Sequence, residues 1–510
     1  MTPRKQTSTQ PANVSHSYLR LPKLSYHPCT PTPVSTPQWV AFNQALAEAL
    51  QLPEEFWLTD AGLDLFSGNQ LPDWARCVAQ AYAGHQFGHF NPQLGDGRAH
   101  LLAELSTADG RTFDVQLKGS GRTPYSRGGD GRAPLGPVLR EYIVSEFMQQ
   151  IGIPTTRALA IVASGEHVYR DRAEPGAILT RVASSYLRVG SFQYAMVRAD
   201  FDTLAALADA AISRHYPELQ LISDEDCSAC DKGVNRYFAL LEAIIDRQTR
   251  LVAQWMGVGF IHGVMNTDNT SISGETIDYG PCAFMEAYRA DQAFSYIDKR
   301  GRYAYNQQPG IIHWNMARLA EALLPLIDND KQLAAQRAAG LIESIPARIQ
   351  TAWLKIMGSK LGLAHVEPSD QPLIEDFLAL LETQQIDFTL GFRRLADELT
   401  TQSTPQPIYH SDNGEQMFCQ WRTRWQQRLQ QEARSNTVVY AAMNATNPIY
   451  IPRNHLIAEV IQRVYADGDL QPFNRLMDAL SAPFTERSEL SHYAQPASPP
   501  EQITTTFCGT

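Results

Sequence analysis

Residues His262–Gly280 read HGVMNTDNTSISGETIDYG, and the spacing of this stretch decides the fold class. A protein-kinase catalytic loop follows H-R-D-x-x-x-x-N, with the Asp as base and the Asn on a metal ion, and a D-F-G turn comes later. Counted from His262, the Asn falls on Asn269 and the turn on Asp278-Tyr279-Gly280. Asn269 and Asp278 offer hard oxygen donors, suited to Mg²⁺ or Mn²⁺ bridging nucleotide phosphates. The position of the kinase base is Val264, which accepts no proton; the nearby carboxylate is Asp268. The competing reading is a helix-end loop in which NTDN merely forms Asx turns.

Upstream, four stretches carry charge that an anion could use. LGDGRAHLLAEL places Gly95, Gly97 and Arg98 before a strand, where glycines admit close backbone approach to phosphate and Arg98 supplies a contact. A plain β-turn is the alternative. DVQLK ends on Lys118, where kinases keep a phosphate-pairing lysine on a strand. The segment LREYIVSEFM offers Glu141 and Glu146 as its partner. Between them lies GSGRTPYSRGGDGRAPLG, with Arg122, Arg127, Asp130, Gly131 and Arg132, which reads as a flexible basic flap over an anion. LTRVASSYLRVGSF adds Arg181 and Arg188, two guanidinium forks able to reach one polyphosphate or to serve in salt bridges. His85 and His89 have i, i+4 spacing but lack the glutamate of H-E-x-x-H. There is no G-x-S-x-G elbow and no complete Walker A motif.

The wider chain fits this outline. At 510 residues it implies several domains, or one two-lobed fold with extensions. WVAFNQALAEAL reads as helix. HLLAEL and TFDVQLK, separated by STADGR, read as a β-hairpin, and PVLREYIVSEFMQQIG as a helix. IPTTRALAIVAS and VYRDRAEPGAILTRVAS read as strands. From about residue 200 the pattern turns helical, with long amphipathic segments such as FDTLAALADAAISRHY and NRYFALLEAIIDRQTRLVAQWMGVGF. The expected organisation is a disordered or extended tail over 1–35, a β-rich N-lobe with an N-terminal helical extension over 36–195, a helical C-lobe over 196–400 and a helical extension over 401–510. The segment 400–416 is a linker candidate. This is an α+β chain with a two-lobed, protein-kinase-like arrangement.

Composition narrows the function classes. The net charge of −11 argues against bulk nucleic-acid binding, which needs a basic surface. No apolar run approaches the ~20 residues of a membrane span, and the polar start does not look like a secretory signal. The seven cysteines, at 29, 77, 227, 230, 282, 419 and 508, are scattered as in a reducing compartment, so a cytoplasmic location is expected. Cys227-x-x-Cys230 has no second pair close in sequence and reads as an acidic surface loop rather than a zinc site.

These strings together resemble the selenoprotein O family, kinase-like proteins that act as protein adenylyltransferases. The resemblance covers nearly the whole chain through AYAGHQFGHFNPQLGDGRA, QLKGSGRTPYSRGGDGRAPLGPVLREY, TRVASSYLRVGSFQ, HGVMNTDNTSISGETIDYGP and NPIYIPRNHLIAEV. TTFCGT even places Cys508 near the C-terminus, where some members carry selenocysteine; a thiol there is less reactive than a selenol. The resemblance implies that ATP lies end for end relative to kinases and that AMP passes to protein hydroxyls. It implies Gly95, Gly97, Arg98, Lys118, Asp130, Gly131, Arg181 and Arg188 as nucleotide-holding residues. Asn269 and Asp278 would bind Mg²⁺, Asp278 would also touch the nucleotide, and Asp268 would be the base. None of these positions departs from the family's pattern.

The charges agree with such an inversion. When the α-phosphorus faces the acceptor, pyrophosphate leaves, and its negative charge calls for several cations. The expected activity is Mg²⁺-dependent transfer of AMP from ATP to Ser, Thr or Tyr hydroxyls of proteins, with Mn²⁺ as the other candidate metal and neither nucleic acid nor membrane as a partner. Three alternatives stay open at this level: an atypical kinase using Asp268, a UMP-transferring enzyme, and a non-catalytic nucleotide-binding pseudokinase scaffold.

Overall fold

The computed structural model describes residues 11, 14–57, 59–222, 235–400 and 407–507. The Cys227/Cys230 pair, Cys508 and residues 401–406 of the linker candidate lie outside the described residues. The strands in chain order are β1 (Val14–Ser15), β2 (Tyr26–Pro28), β3 (Gln38–Phe42), β4 (Val78–Gln80), β5 (Gly84–Gln86), β6 (His89–Asn91), β7 (Ala99–Ser106), β8 (Thr112–Lys118), β9 (Ala133–Pro134), β10 (Arg157–Tyr169), β11 (Ala173–Ala183), β12 (Phe260–Ile261) and β13 (Ala283–Phe284). One large antiparallel sheet runs β2-β4-β7-β8-β11-β10-β3, with β1 added on β7 and β9 on β11. The remaining strands form two small hairpins, β5–β6 and β12–β13. With its many helices, the chain is α+β.

The sheet is covered on both faces because its strands alternate. On β8, Val115 and Leu117 point into a cluster with Phe56, Trp57, Leu65 and Phe66 from the segment 54–67. The opposite face meets the helix Leu135–Gln150, whose Leu139, Ile143 and Phe147 pack with Ile161 and Leu179. Alternation therefore sends Gln116 and Lys118 to that second side. The expected β7–β8 hairpin is present, pairing Ala99 with Lys118 and Ser106 with Thr112. Helices Phe201–His215, Arg236–Gly257, Gln308–Ile327 and Lys331–Lys360 follow the amphipathic pattern, and the last three pack on one another.

Several boundaries differ from the sequence reading. WVAF is strand, not helix: Trp39 to Phe42 pair with β10, since aromatic and β-branched residues suit a pleated edge. The helix begins only after Asn43, whose side chain accepts from Leu46 N. VYRDR splits, with Val168 and Tyr169 ending β10 and the turn falling before Ala173. Within 1–35, β1 and β2 run extended against the sheet; Ser15, Ser17 and the Tyr18 N–H all donate to the Glu104 carboxylate. The linker candidate ends early, because Ser411 caps a helix over Asp412–Gln430. Among the described residues, no helix is long and apolar enough to cross a membrane.

Candidate nucleotide site

A cavity of about 310 Å³ opens where β8, β11, the flap 119–132 and the loop 262–280 converge. It is lined by Gly95, Gly97, Arg98, Lys118, Asp130, Gly131, Arg181, Arg188, Asp268, Asn269 and Asp278. The residues expected to hold nucleotide or metal, and Asp268, are therefore brought to one place, from segments up to about 180 residues apart.

At one end the charges interlock. Lys118 donates to Glu141 Oε2 at 2.5 Å and reaches Asp278 Oδ1 at 3.3 Å. Arg181 lies beside Gln116 in the β8–β11 register, on the same face as Lys118, and donates to Glu141 Oε1 at 3.1 Å and Gln116 Oε1 at 2.5 Å. Of the two glutamates offered by the helix, Glu141 is the partner of Lys118. Glu146 turns away to Arg157 and Asn43. Burial works against the charged form of both Glu141 and Asp278. For Glu141, Lys118 and Arg181 overcome it; for Asp278, Lys118, Arg98 and Arg181 do so and hold its carboxyl well below the usual range. Asp278 adopts φ +68°, a left-handed conformation that Asp tolerates better than most residues.

The loop bearing Asp268 and Asn269 is closed at its base by β12–β13, where Phe260 faces Phe284 and Ile261 faces Ala283. His262 is buried: it receives the Val264 N–H on Nδ1, and Nε2 lies 2.9 Å from the Ile277 carbonyl. The Val264 carbonyl accepts from Asn269 Nδ2 at 3.0 Å, which leaves the amide oxygen of Asn269 free to turn to the cavity. A free amide oxygen beside an ionised Asp278 is a donor set that fits Mg²⁺ or Mn²⁺. Burial pushes the Asp268 carboxyl up to about 6, against the Gln86 hydrogen bond and the Arg188 charge.

Arg188 sits just before the helix Val189–Met196. It donates to the Asp268 carbonyl at 3.0 Å and to the Tyr186 carbonyl at 3.2 Å, and its guanidinium lies 4.3 Å from the Tyr82 ring centre. Arg188 Nη2, 3.9 Å from Asp96 Oδ1, and Arg181 Nε are buried without a hydrogen-bond partner, so each can still donate to an anion.

Close packing around the flap requires glycine at two positions. A Cβ on Gly95 would lie 2.3 Å from the Tyr125 ring, and one on Gly131 would lie 2.1 Å from Gly121; both have positive φ. Asp130 receives both terminal nitrogens of Arg170, at 2.8 and 2.9 Å, and the Arg132 N–H, so it shapes the flap. Arg127 and Arg132 line the cavity; Arg122 is exposed and does not. Residues that sequence reasoning missed are Asp96, Tyr82, Arg170 and Gln86. Asp96 stood in plain view between Gly95 and Gly97, and it is buried against Gln116 and the Gln80 N–H. The other three carried no local signal. His85, one of the i, i+4 histidines, meets Gln193 and Trp314, and no group of three or more His, Cys, Asp or Glu fit for a metal occurs among the described residues.

Known proteins resemble this chain over most of its length. The family model described as protein adenylyltransferase SelO matches residues 11–481. A protein nucleotidyltransferase YdiU from Cereibacter sphaeroides is 52% identical over 482 residues, spanning 94% of this chain and 95% of its own. Proteins of the same name from Geobacillus kaustophilus and Rhizobium rhizogenes are 49% and 48% identical, over 97% and 98% of this chain and 98% and 97% of their own. The chain belongs to the SelO family, the protein adenylyltransferases.

Proposed function

We propose that this chain moves AMP from ATP onto a Ser, Thr or Tyr hydroxyl of a protein, with Asp268 as base and pyrophosphate as leaving group. Family membership makes the chain a protein nucleotidyltransferase with ATP and a protein as substrates. The finer assignments are our reading. The hydroxyl O–H bond breaks toward Asp268 as the new O–P bond forms at the α-phosphorus, and the bond to pyrophosphate breaks with its electron pair. Lys118, Arg98, Arg181 and Arg188 receive the leaving charge, and the backbone around Gly95, Gly97, Asp130 and Gly131 shapes the covering flap. Asn269 and Asp278 would hold Mg²⁺, or Mn²⁺, which when bound neutralises phosphate charge.

The single observation that carries this reading is the division of one cavity. Lys118 and Arg181, paired through Glu141, act on the ionised Asp278, while Asp268, with a carboxyl raised toward neutrality, meets Gln86 and Arg188 in the same cavity. Such separation of acid strengths marks distinct roles. We further read the chain as two kinase-like lobes, 36–195 and 196–400, flanked by a tail over 1–35 and an extension over 401–510, acting in the cytoplasm. ATP labelled at the α- or γ-phosphate provides the test on whole lysate. Protein label from the α position is expected; label from γ would make the chain a kinase, and none from either would make it a binding scaffold.

A further inference from the structure

The β5–β6 hairpin forms a wall beside Asp268, and three consecutive residues of it dock on three consecutive residues of the loop. The His85 N–H donates to Thr267 Oγ1 at 2.7 Å, and the Phe87 N–H donates to Asn266 Oδ1 at 3.2 Å. Thr267 in turn donates to Gln193 Oε1 at 2.7 Å, and the Tyr303 hydroxyl donates to Asn266 Oδ1 at 2.6 Å. Between these two anchors, Gln86 Nε2 donates to Asp268 Oδ2 at 3.0 Å. The hairpin is thus held by the residues on either side of Gln86, and the Gln86 amide is free to act on the carboxylate alone.

That carboxylate is asymmetric. Gln86 is the one side-chain donor to it among the described residues, and Oδ1 is buried with no partner. Gly84 makes the close approach: a Cβ there would lie 2.7 Å from Oδ1. A buried carboxylate oxygen left bare is costly, so its vacancy points to a donor that arrives with substrate. The terminal torsion of an Asp is broad and two-fold, and left alone it would exchange its two oxygens.

We infer that Gln86 is the positioning residue of the base: it pins Asp268 Oδ2 and so presents Oδ1 to the acceptor hydroxyl. This rests on the reading of Asp268 as base. Gln86 is not among the residues that line the cavity and acts through Asp268. Productive geometry tolerates little error, because a misplacement of about 1 Å costs on the order of 10²-fold in rate.

Gln86→Met keeps the length of the side chain and removes the donor. In the full chain, kcat for AMP transfer should fall about 10- to 10²-fold while ATP Kd and KM stay at native values. In an Asp268→Asn background the same substitution should change kcat by less than about twofold, because the two residues act as a unit. Should Gln86→Met not fold, Gln86→Asn carries the same test, since its shorter amide falls away from Asp268. A native kcat in the Gln86 variant, an equal fall in both backgrounds, or a raised ATP KM with native kcat overturns the inference. The two failures are separable. If Asp268→Asn transfers at the native rate, the base assignment itself falls; if Asp268→Asn is slow and Gln86→Met is native, only the role of Gln86 falls.

Discussion

Among the described residues two lysines are buried, and their surroundings differ. Lys118, in the sheet, meets Glu141 at 2.5 Å and Asp278 at 3.3 Å and lines the cavity. Lys360, at the end of the long helix Lys331–Lys360, donates to Asn447 Oδ1 at 2.8 Å and sits 4.4 Å from the Phe392 ring centre. No carboxylate pairs with it among the described residues, and burial pulls its pKa down to about 7. Asn447 returns a hydrogen bond to the Lys360 carbonyl, so this lysine is a clasp between helices. A buried cation keeps its charge where acids compensate it, and a cavity beside it then turns that charge to use. Without acids, the same side chain approaches neutrality and serves packing.

A second contrast lies inside the cavity. Asp268 and Asp278 share one loop, yet burial raises the first to about 6, while Lys118, Arg98 and Arg181 outweigh burial at the second and hold it low. The difference is the number of cations facing each: Lys118, Arg98 and Arg181 act on Asp278, and Arg188 acts on Asp268; the proposed division of proton transfer and charge binding rests on it.

The largest test of this contrast is Asp278→Ala, which leaves Lys118 with Glu141 alone. It should reduce α-phosphate labelling of protein to background and remove the metal dependence of nucleotide binding; native labelling would break the assignment. Next, Asp268→Asn should lower kcat by about 10²–10⁴-fold with ATP affinity retained by calorimetry. A loss of ATP binding instead would place Asp268 among the nucleotide-holding groups. Lys118→Met should raise the Kd for ATP by about tenfold or more, because a charge-assisted contact is lost and Glu141 is left less compensated. The last test concerns stability rather than activity and belongs to the other lysine. Its folded pKa is depressed from 10.5 to about 7, so between those values the unfolded chain holds a proton that the folded chain lacks. Stability therefore gains from this group as pH rises from 7 toward 10.5, by up to about 1.4 kcal/mol per pH unit. Urea titrations of Lys360→Met at pH 7 and pH 9 should show that increment missing relative to the native chain; equal slopes would mean that Lys360 keeps its charge.

Much of the site was legible because motif spacing is local. The count from His262 to Asn269 and Asp278 needs no fold, and the alternation in DVQLK already separates Val115 and Leu117 from Gln116 and Lys118. The long amphipathic helices are legible for the same reason, since a period of 3.6 is written along the chain. WVAF misled because a helix follows it directly; whether four apolar residues join that helix or a sheet edge depends on β10, over a hundred residues away.

By itself, the sequence pointed to the residues that could hold phosphate and metal, the β7–β8 hairpin, the long amphipathic helices and the family to which the chain belongs. Only the tertiary structure decided that Glu141, rather than Glu146, compensates Lys118, that Asp130 answers to Arg170, and that Gln86 grips Asp268. Those choices rest on contacts between groups distant along the chain. Their strength depends on burial and direction, which residue order does not encode.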